Sequence, residues 1–247
     1  CATTLARAGR RVLVLEAAAE AGGAARNREF APGYKAPTAH FLHALPKALA
    51  TELRLEEHGL RLAAKNLSTH ALLPGGKVLR IASDHGVTGV PEDEARAYAR
   101  FQRNMSRYAQ ALLPIFQMVP PRLVFDTWGQ KLEFMKLAWR IRSMGREDMR
   151  ELMRIVFMNI YDLLDEYFDD AALKGAIALD ACLGAEWGPR APGTVLMYLY
   201  RLSGLMGGEG NGVAQPAGGM GAVSQAFASA ANAGGTRRAP LPCPCPS

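Results

Sequence analysis

Few side chains in this sequence sit in a pattern that could do chemistry, and the first that does is Glu16. It follows directly on the apolar run Val12-Leu13-Val14-Leu15, and Gly22-Gly23 come after the short spacer Ala17 to Ala21. A carboxylate at the end of the second strand of a βαβ unit accepts hydrogen bonds from both hydroxyls of an adenosine ribose, so Glu16 is the candidate for holding a dinucleotide. A second glycine group, Gly218, Gly219 and Gly221, permits close backbone approach. It precedes a helix whose apolar face carries Val223, Ala226, Phe227 and Ala230.

Other reactive groups fall into plainer patterns. His40 and His43 stand three apart with no third ligand nearby in sequence, so they read as packing or surface residues and no metal is expected. Asp162, Asp165, Glu166, Asp169 and Asp170 lack the spacing of a calcium loop and read as a solvated helix face or helix junction. The glycine-rich stretch Ser203 to Gly212 lacks G-x-x-x-x-G-K-[ST] and reads as a connector, and there is no G-x-S-x-G elbow. Cys1, Cys182, Cys243 and Cys245 form neither a C-x-x-C nor a scaffold pattern, which points to a reducing, cytoplasmic setting. No residue presents itself as a catalytic base.

Composition sets the outer bounds. The 247 residues are 49% hydrophobic and 21% charged, which excludes wholesale disorder and disulfide scaffolds. The net charge of +6 comes from Lys and Arg scattered along helical segments, so an acidic ligand or a peripheral membrane contact is compatible and nucleic acid is not expected. Apolar stretches such as Thr194 to Tyr200 stop well short of the roughly 20 residues needed to cross a bilayer.

The elements that must position Glu16 are a helix over Ala2 to Ala8, a turn at Gly9 and a buried parallel strand over Val12 to Leu15. A dinucleotide unit also needs a G-x-G-x-x-G turn about 20 residues before its acid, to meet the pyrophosphate with backbone N–H groups. No such motif occurs in the chain, so either the βαβ reading fails or the phosphate loop lies upstream of Cys1. With no initiating Met, the chain reads as a piece of a longer protein. Farther on, the spacing predicts a helix from Phe41 to Gly59 and a hairpin of Ser68 to Leu73 with Val78 to Ile81 across Pro74 to Lys77. A helix opens at Pro91 and runs to about Leu113. Beyond it the pattern stays helical to Leu205, broken at Pro120-Pro121, Gly145, Gly188-Pro189 and Pro192-Gly193. The aromatic and Met residues of that region, among them Phe116, Trp128, Met135, Trp139, Phe157 and Tyr198, either line an apolar tunnel or pack a core.

The string Leu5 to Glu16 followed by Gly22-Gly23-Ala24-Ala25 resembles the second half of the FAD-binding signature of the phytoene desaturase and flavin amine oxidase superfamily. More narrowly, it is similar to the phytoene dehydrogenase-related oxidoreductases. Pro32-Gly33-Tyr34 matches the family's Pro-Gly-aromatic turn. Gln215 to Phe227 resembles the Pro-x-Gly-Gly-Met segment that returns from substrate domain to FAD domain. Ala24 stands where many amine oxidases carry an arginine, so no role of that arginine transfers.

The resemblance implies an α/β fold, a partial Rossmann-like FAD-binding domain with its first strand and G-x-G-x-x-G missing, interrupted by a helix-rich substrate domain. The expected division is 1–85 for the partial FAD-binding domain, 86–210 for the substrate domain, 211–235 for the return segment and 236–247 for a tail foreign to the fold. The tail's alternating prolines are at odds with a strand. FAD would be held by Glu16, Gly22, Gly23, Ala24, Gly218, Gly219 and Met220, with His40 as a wall residue. The implied activity is desaturase- or dehydrogenase-like hydride transfer from an apolar small molecule to flavin, with the isolated chain inactive for want of the pyrophosphate loop. The rivals are an NAD(P)-linked dehydrogenase built on the same βαβ logic, and a helical binding module without enzymatic activity.

Overall fold

The computed structural model describes residues 1–39, 41–42, 45–82, 84, 86–118, 128–184, 186–203 and 213–240. In chain order the elements are α1 (Ala2–Arg7), β1 (Leu13–Glu16), β2 (Asn27–Ala31), β3 (Tyr34–Pro37), α2 (Lys47–Glu52), β4 (Leu62–Leu67), β5 (Thr69–Leu72), β6 (Val78–Ile81) and β7 (Val87–Thr88). There follow α3 (Glu92–Gln117), α4 (Trp128–Ser143), α5 (Arg146–Ile155), α6 (Ile160–Asp165), α7 (Ala171–Cys182), α8 (Thr194–Ser203), β8 (Val213–Pro216), α9 (Met220–Ala233) and β9 (Arg237–Pro240). Two compact units result, one of residues 1–67 with 205–247, the other of 68–204. These limits differ from the divisions at 85/86 and 210/211 read from the sequence, because the β5–β6–β7 sheet belongs with the helices that follow it.

In the first unit, β1 and β9 run parallel, with Leu13 opposite Arg237 and Glu16 opposite Pro240. Residues 237–240 were expected to be unfit for a strand. The correction has a simple physical basis: the proline alternation begins only at Pro240, so Arg237 can still donate its N–H to Val12 O at 3.1 Å. The rest of that tail, 241–247, lies outside the described residues. β1 is less buried than a parallel strand with two neighbours would be, and Leu13 and Leu15 are 59% and 52% exposed.

β2 and β3 form a hairpin, and β4 pairs antiparallel with β8 from Leu62 opposite Pro216 to Leu67 opposite Val213. The long helix expected from Phe41 is also corrected. Leu42 exchanges two backbone hydrogen bonds with Ala214, Pro46 lacks an N–H, and Arg54 turns left-handed at φ 53°, so only Lys47–Glu52 coils. Its leucines still point inward: Leu42, Leu45 and Leu53 join Met220, Val223 and Ala226 in the core of this unit.

The second unit follows its sequence signals more closely. β5 pairs with β6 from Thr69 opposite Ile81 to Leu72 opposite Val78, and three acids occupy the first turn of α3. Gly145 (φ 98°) and Gly193 (φ 80°) fall at breaks between helices as expected. The acidic cluster is a helix junction: Asp170 caps α7 by accepting from Leu173 N at 2.8 Å, and Asp165 meets Lys174 at 2.7 Å. Phe101 anchors the core, edge-on to Tyr167 and Phe168 at 5.1 and 5.3 Å and stacked on Tyr198 at 6.0 Å.

Candidate functional site

The expected cofactor residues divide into two groups far apart in sequence, and Asn27 ties those groups together. Its Nδ2 donates to Gly218 O at 2.9 Å, and its Oδ1 accepts from Gly221 N at 3.3 Å, at the start of α9. The fit leaves no room for a side chain on either side. A Cβ on Gly221 would stand 2.8 Å from Asn27 Cγ, and one on Gly22 would stand 2.8 Å from Ser224 Oγ. Gly22 (φ 144°) opens the short turn Gly23–Ala25, and Ala24 O accepts from Ala39 N at 3.1 Å, which holds that turn to the end of the β2–β3 hairpin.

Gly22, Gly23 and Ala24 are thus brought together with Gly218, Gly219 and Met220. Gly23 keeps an open face, with nothing within 4 Å of where a Cβ would stand. Met220 is turned the other way, 8% exposed in the core. Glu16 is half-buried at the end of β1, and its Oε1 accepts from Ala18 N at 2.9 Å, which fixes the carboxylate against its own loop. His40 and His43 lie outside the described residues.

Asn27 was not legible as a functional residue. The sole sign in the sequence is that asparagine, poor in strands, opens a strand there. Its partners stand some two hundred positions downstream, and no local spacing marks them.

In the helical unit the chemistry-bearing groups are a buried polar cluster. Gln102 Nε2 donates to the Tyr98 hydroxyl oxygen at 2.7 Å, and Asp180 meets Arg201 at 3.0 Å. Burial pushes the Tyr98 hydroxyl up to about 12 and raises Tyr198 well above its ordinary range. Asp180 is raised too, because its desolvation outweighs the attraction of Arg201. Such groups stay neutral or paired near pH 7 and serve packing better than proton transfer. Cys182 is likewise held protonated by burial. The aromatic and Met residues do not share one environment: Tyr198 is core, Phe116 packs edge-on against Tyr200 at 5.1 Å, while Met135, Trp139 and Phe157 are exposed. Among the described residues no group of three or more His, Cys, Asp or Glu could hold a metal, and no helix is long and apolar enough to cross a membrane.

A family model described as flavin containing amine oxidoreductase matches residues 1–238. The chain belongs to this family. Among curated relatives it is similar to pyridine nucleotide-disulfide oxidoreductase domain-containing protein 2 of Rattus norvegicus, 28% identical over 253 residues, which is 95% of this chain and 44% of that protein. The Mus musculus protein of the same name is 27% identical over 250 residues, 93% of this chain and 43% of that one. The chain therefore spans less than half the length of these relatives. A solved putrescine oxidase, from a redesign of its cofactor binding, aligns with TM-score 0.52 at 15% identity over 96% of this chain and 47% of that chain, a likeness of fold.

For this flavin-containing oxidoreductase family the implied cofactor is FAD, as the sequence led one to expect. The residues present fit the nucleoside end of that group. A carboxylate closes β1, and a side-chain-free backbone surface is built by Gly22 and Gly23 and braced from Gly218 to Gly221.

Proposed function

We propose that the protein is an FAD-dependent oxidoreductase of desaturase or dehydrogenase type, taking hydride from a C–H bond of an apolar small molecule. The observation that carries the reading is the Asn27 brace, which joins both segments of the family signature into one surface within one compact unit. When bound, FAD supplies the hydride acceptor and passes electrons on to a second acceptor. Glu16 holds the ribose, Gly22, Gly23 and Ala24 admit the dinucleotide at van der Waals distance, and Gly218, Gly219 and Met220 brace that surface from behind. The helical unit is the part of the chain whose composition suits the substrate. Its packed aromatic core and large exposed apolar residues, Trp139 at 76% and Met135 at 64%, suit a hydrophobic substrate better than a small charged one.

The pyrophosphate is ordinarily met by a G-x-G-x-x-G turn, which these 247 residues do not contain. Accordingly, these residues alone hold FAD weakly, and stoichiometric flavin copurifying with them would overturn that statement. The test of activity is anaerobic: the protein is loaded with excess FAD and challenged separately with a polyene and with an aliphatic diamine. Bleaching of the visible flavin absorbance by the polyene alone is expected where the excess of FAD makes up for the missing pyrophosphate loop; flavin that binds but is bleached by neither substrate marks these residues as inactive on their own. Bleaching by the diamine alone moves the assignment to amine oxidation, and reduction of NAD(P) without flavin restores the nicotinamide alternative.

A further inference from the structure

We propose that the groove between α3 and the C-terminal end of α4 is a binding site for a phosphate ester. Arg103, Ser106, Arg107 and Gln110 recur three and four apart and so share one face of α3. Arg140, Ser143 and Met144 come to the same groove from the end of α4. The cavity is about 500 Å³, within the roughly 300–1,000 Å³ typical of small-molecule sites, and no acidic side chain lines it.

The charge balance makes the case for an anion. Arg107 already pairs with Asp148, to which Tyr108 also donates at 3.3 Å. Arg103 and Arg140 have no carboxylate partner among the described residues. Guanidinium groups stay charged at any physiological pH, so three arginines bring like charge to one groove and only Arg107 among them is offset by a carboxylate. A tetrahedral oxyanion offsets that repulsion and offers the paired oxygens that a guanidinium fork matches. Gln110 and Ser106 add neutral donors, while Ala111 and Met144 give an apolar floor that accommodates the organic part of an ester.

A soluble phosphomonoester and a phospholipid headgroup carry the same chemistry. α4 itself shows Leu132, Met135 and Trp139 exposed at 52%, 64% and 76%, at a spacing that places them along one side of the helix. The test uses the full chain in two arms: calorimetric titration with glycerol 3-phosphate, and sedimentation with phosphatidylcholine vesicles with and without phosphatidic acid. Binding in either arm is expected, and which arm responds names the source. Arg103→Gln with Arg140→Gln should lower that affinity tenfold or more. Both residues are exposed, so circular dichroism and thermal melting should be unchanged. Should neither probe bind, or should the double variant bind as tightly as the parent, the assignment is wrong. Sedimentation that is equal with phosphatidylcholine alone, with no binding of glycerol 3-phosphate, also refutes it.

Discussion

Replacing Asn27 by Ala removes two hydrogen bonds that cross from the start of β2 to the start of α9. Each neutral bond of this kind contributes about 0.5–1.5 kcal/mol, and Asn27 is half-buried, so water partly replaces it and the expected loss is about 1–2 kcal/mol. Gly221→Ala should cost less on its own. Its new Cβ would lie 2.8 Å from Asn27 Cγ and must push the amide aside, breaking the same two bonds, while the exchange of Gly for Ala in a helix returns up to about 1 kcal/mol. The two changes therefore destroy one brace, and together they should cost less than the sum of their separate effects. With Asn27 already Ala, the Gly221→Ala change no longer meets the amide that stood nearest to its Cβ and should stabilise, giving a coupling of about 1.5–2 kcal/mol in a urea-denaturation cycle. Additivity within about 0.5 kcal/mol would refute the brace. A cycle of the expected size with no change in FAD affinity would instead refute the part of the brace in shaping the cofactor surface.

Four further outcomes follow from the helical unit and the glycine turn. Tyr198→Phe removes a buried hydroxyl that has no hydrogen-bond partner among the described residues, and should leave stability unchanged or raise it by about 1 kcal/mol in thermal melts; a loss of that size would reveal a hidden partner. Asp180→Ala leaves Arg201, whose side chain is 11% exposed, without its carboxylate and should cost about 3 kcal/mol, whereas adding Arg201→Met should recover most of it. Glu166 is held below its ordinary 4.5 by hydrogen bonds from Arg154, so its contribution is present above that pH and fades as pH falls through the lower folded value. The pair is half exposed, so Glu166→Gln should flatten the acid limb of a stability profile by well under 1 kcal/mol and change nothing once the pH lies below the lowered folded value. Finally, Gly22→Val places a side chain against Ser224 at under 3 Å and should unfold the first unit while the far-ultraviolet signal of the helical unit survives, a contrast readable by limited proteolysis.

What the sequence made legible was what short-range physics decides. Gly9 ends α1, the β5–β6 hairpin sits across Pro74 to Lys77, acids open α3, and Gly145 and Gly193 mark helix breaks, all because turn and cap preferences act within a few residues. The glycine groups at 22–23 and 218–221 were legible for the same reason. What pairs them was not, since Asn27 reaches its partners only once distant segments have folded. The extended helix expected from Phe41 failed because leucine spacing alone cannot distinguish a helix face from a chain that gives Leu42 to a bridge with Ala214. β9 was hidden by its prolines, of which only Pro240 falls in the strand, at its last position, so the donors before it stay intact.

The pairing of β1 with β9 also bears on how the chain is made. Translation delivers β1 well before β9, its only partner among the described strands, and every element of the second unit emerges between the two. Throughout that interval Leu13 and Leu15 wait for the β9 side of their pairing, and the core around Leu42 and Leu53 waits for α9. The helical unit, rich in local contacts, can reach its native state on the ribosome in the meantime. Folding of the first unit is thus a closure over very long sequence separation, which the β1–β9 pairing makes slow relative to the formation of its local elements.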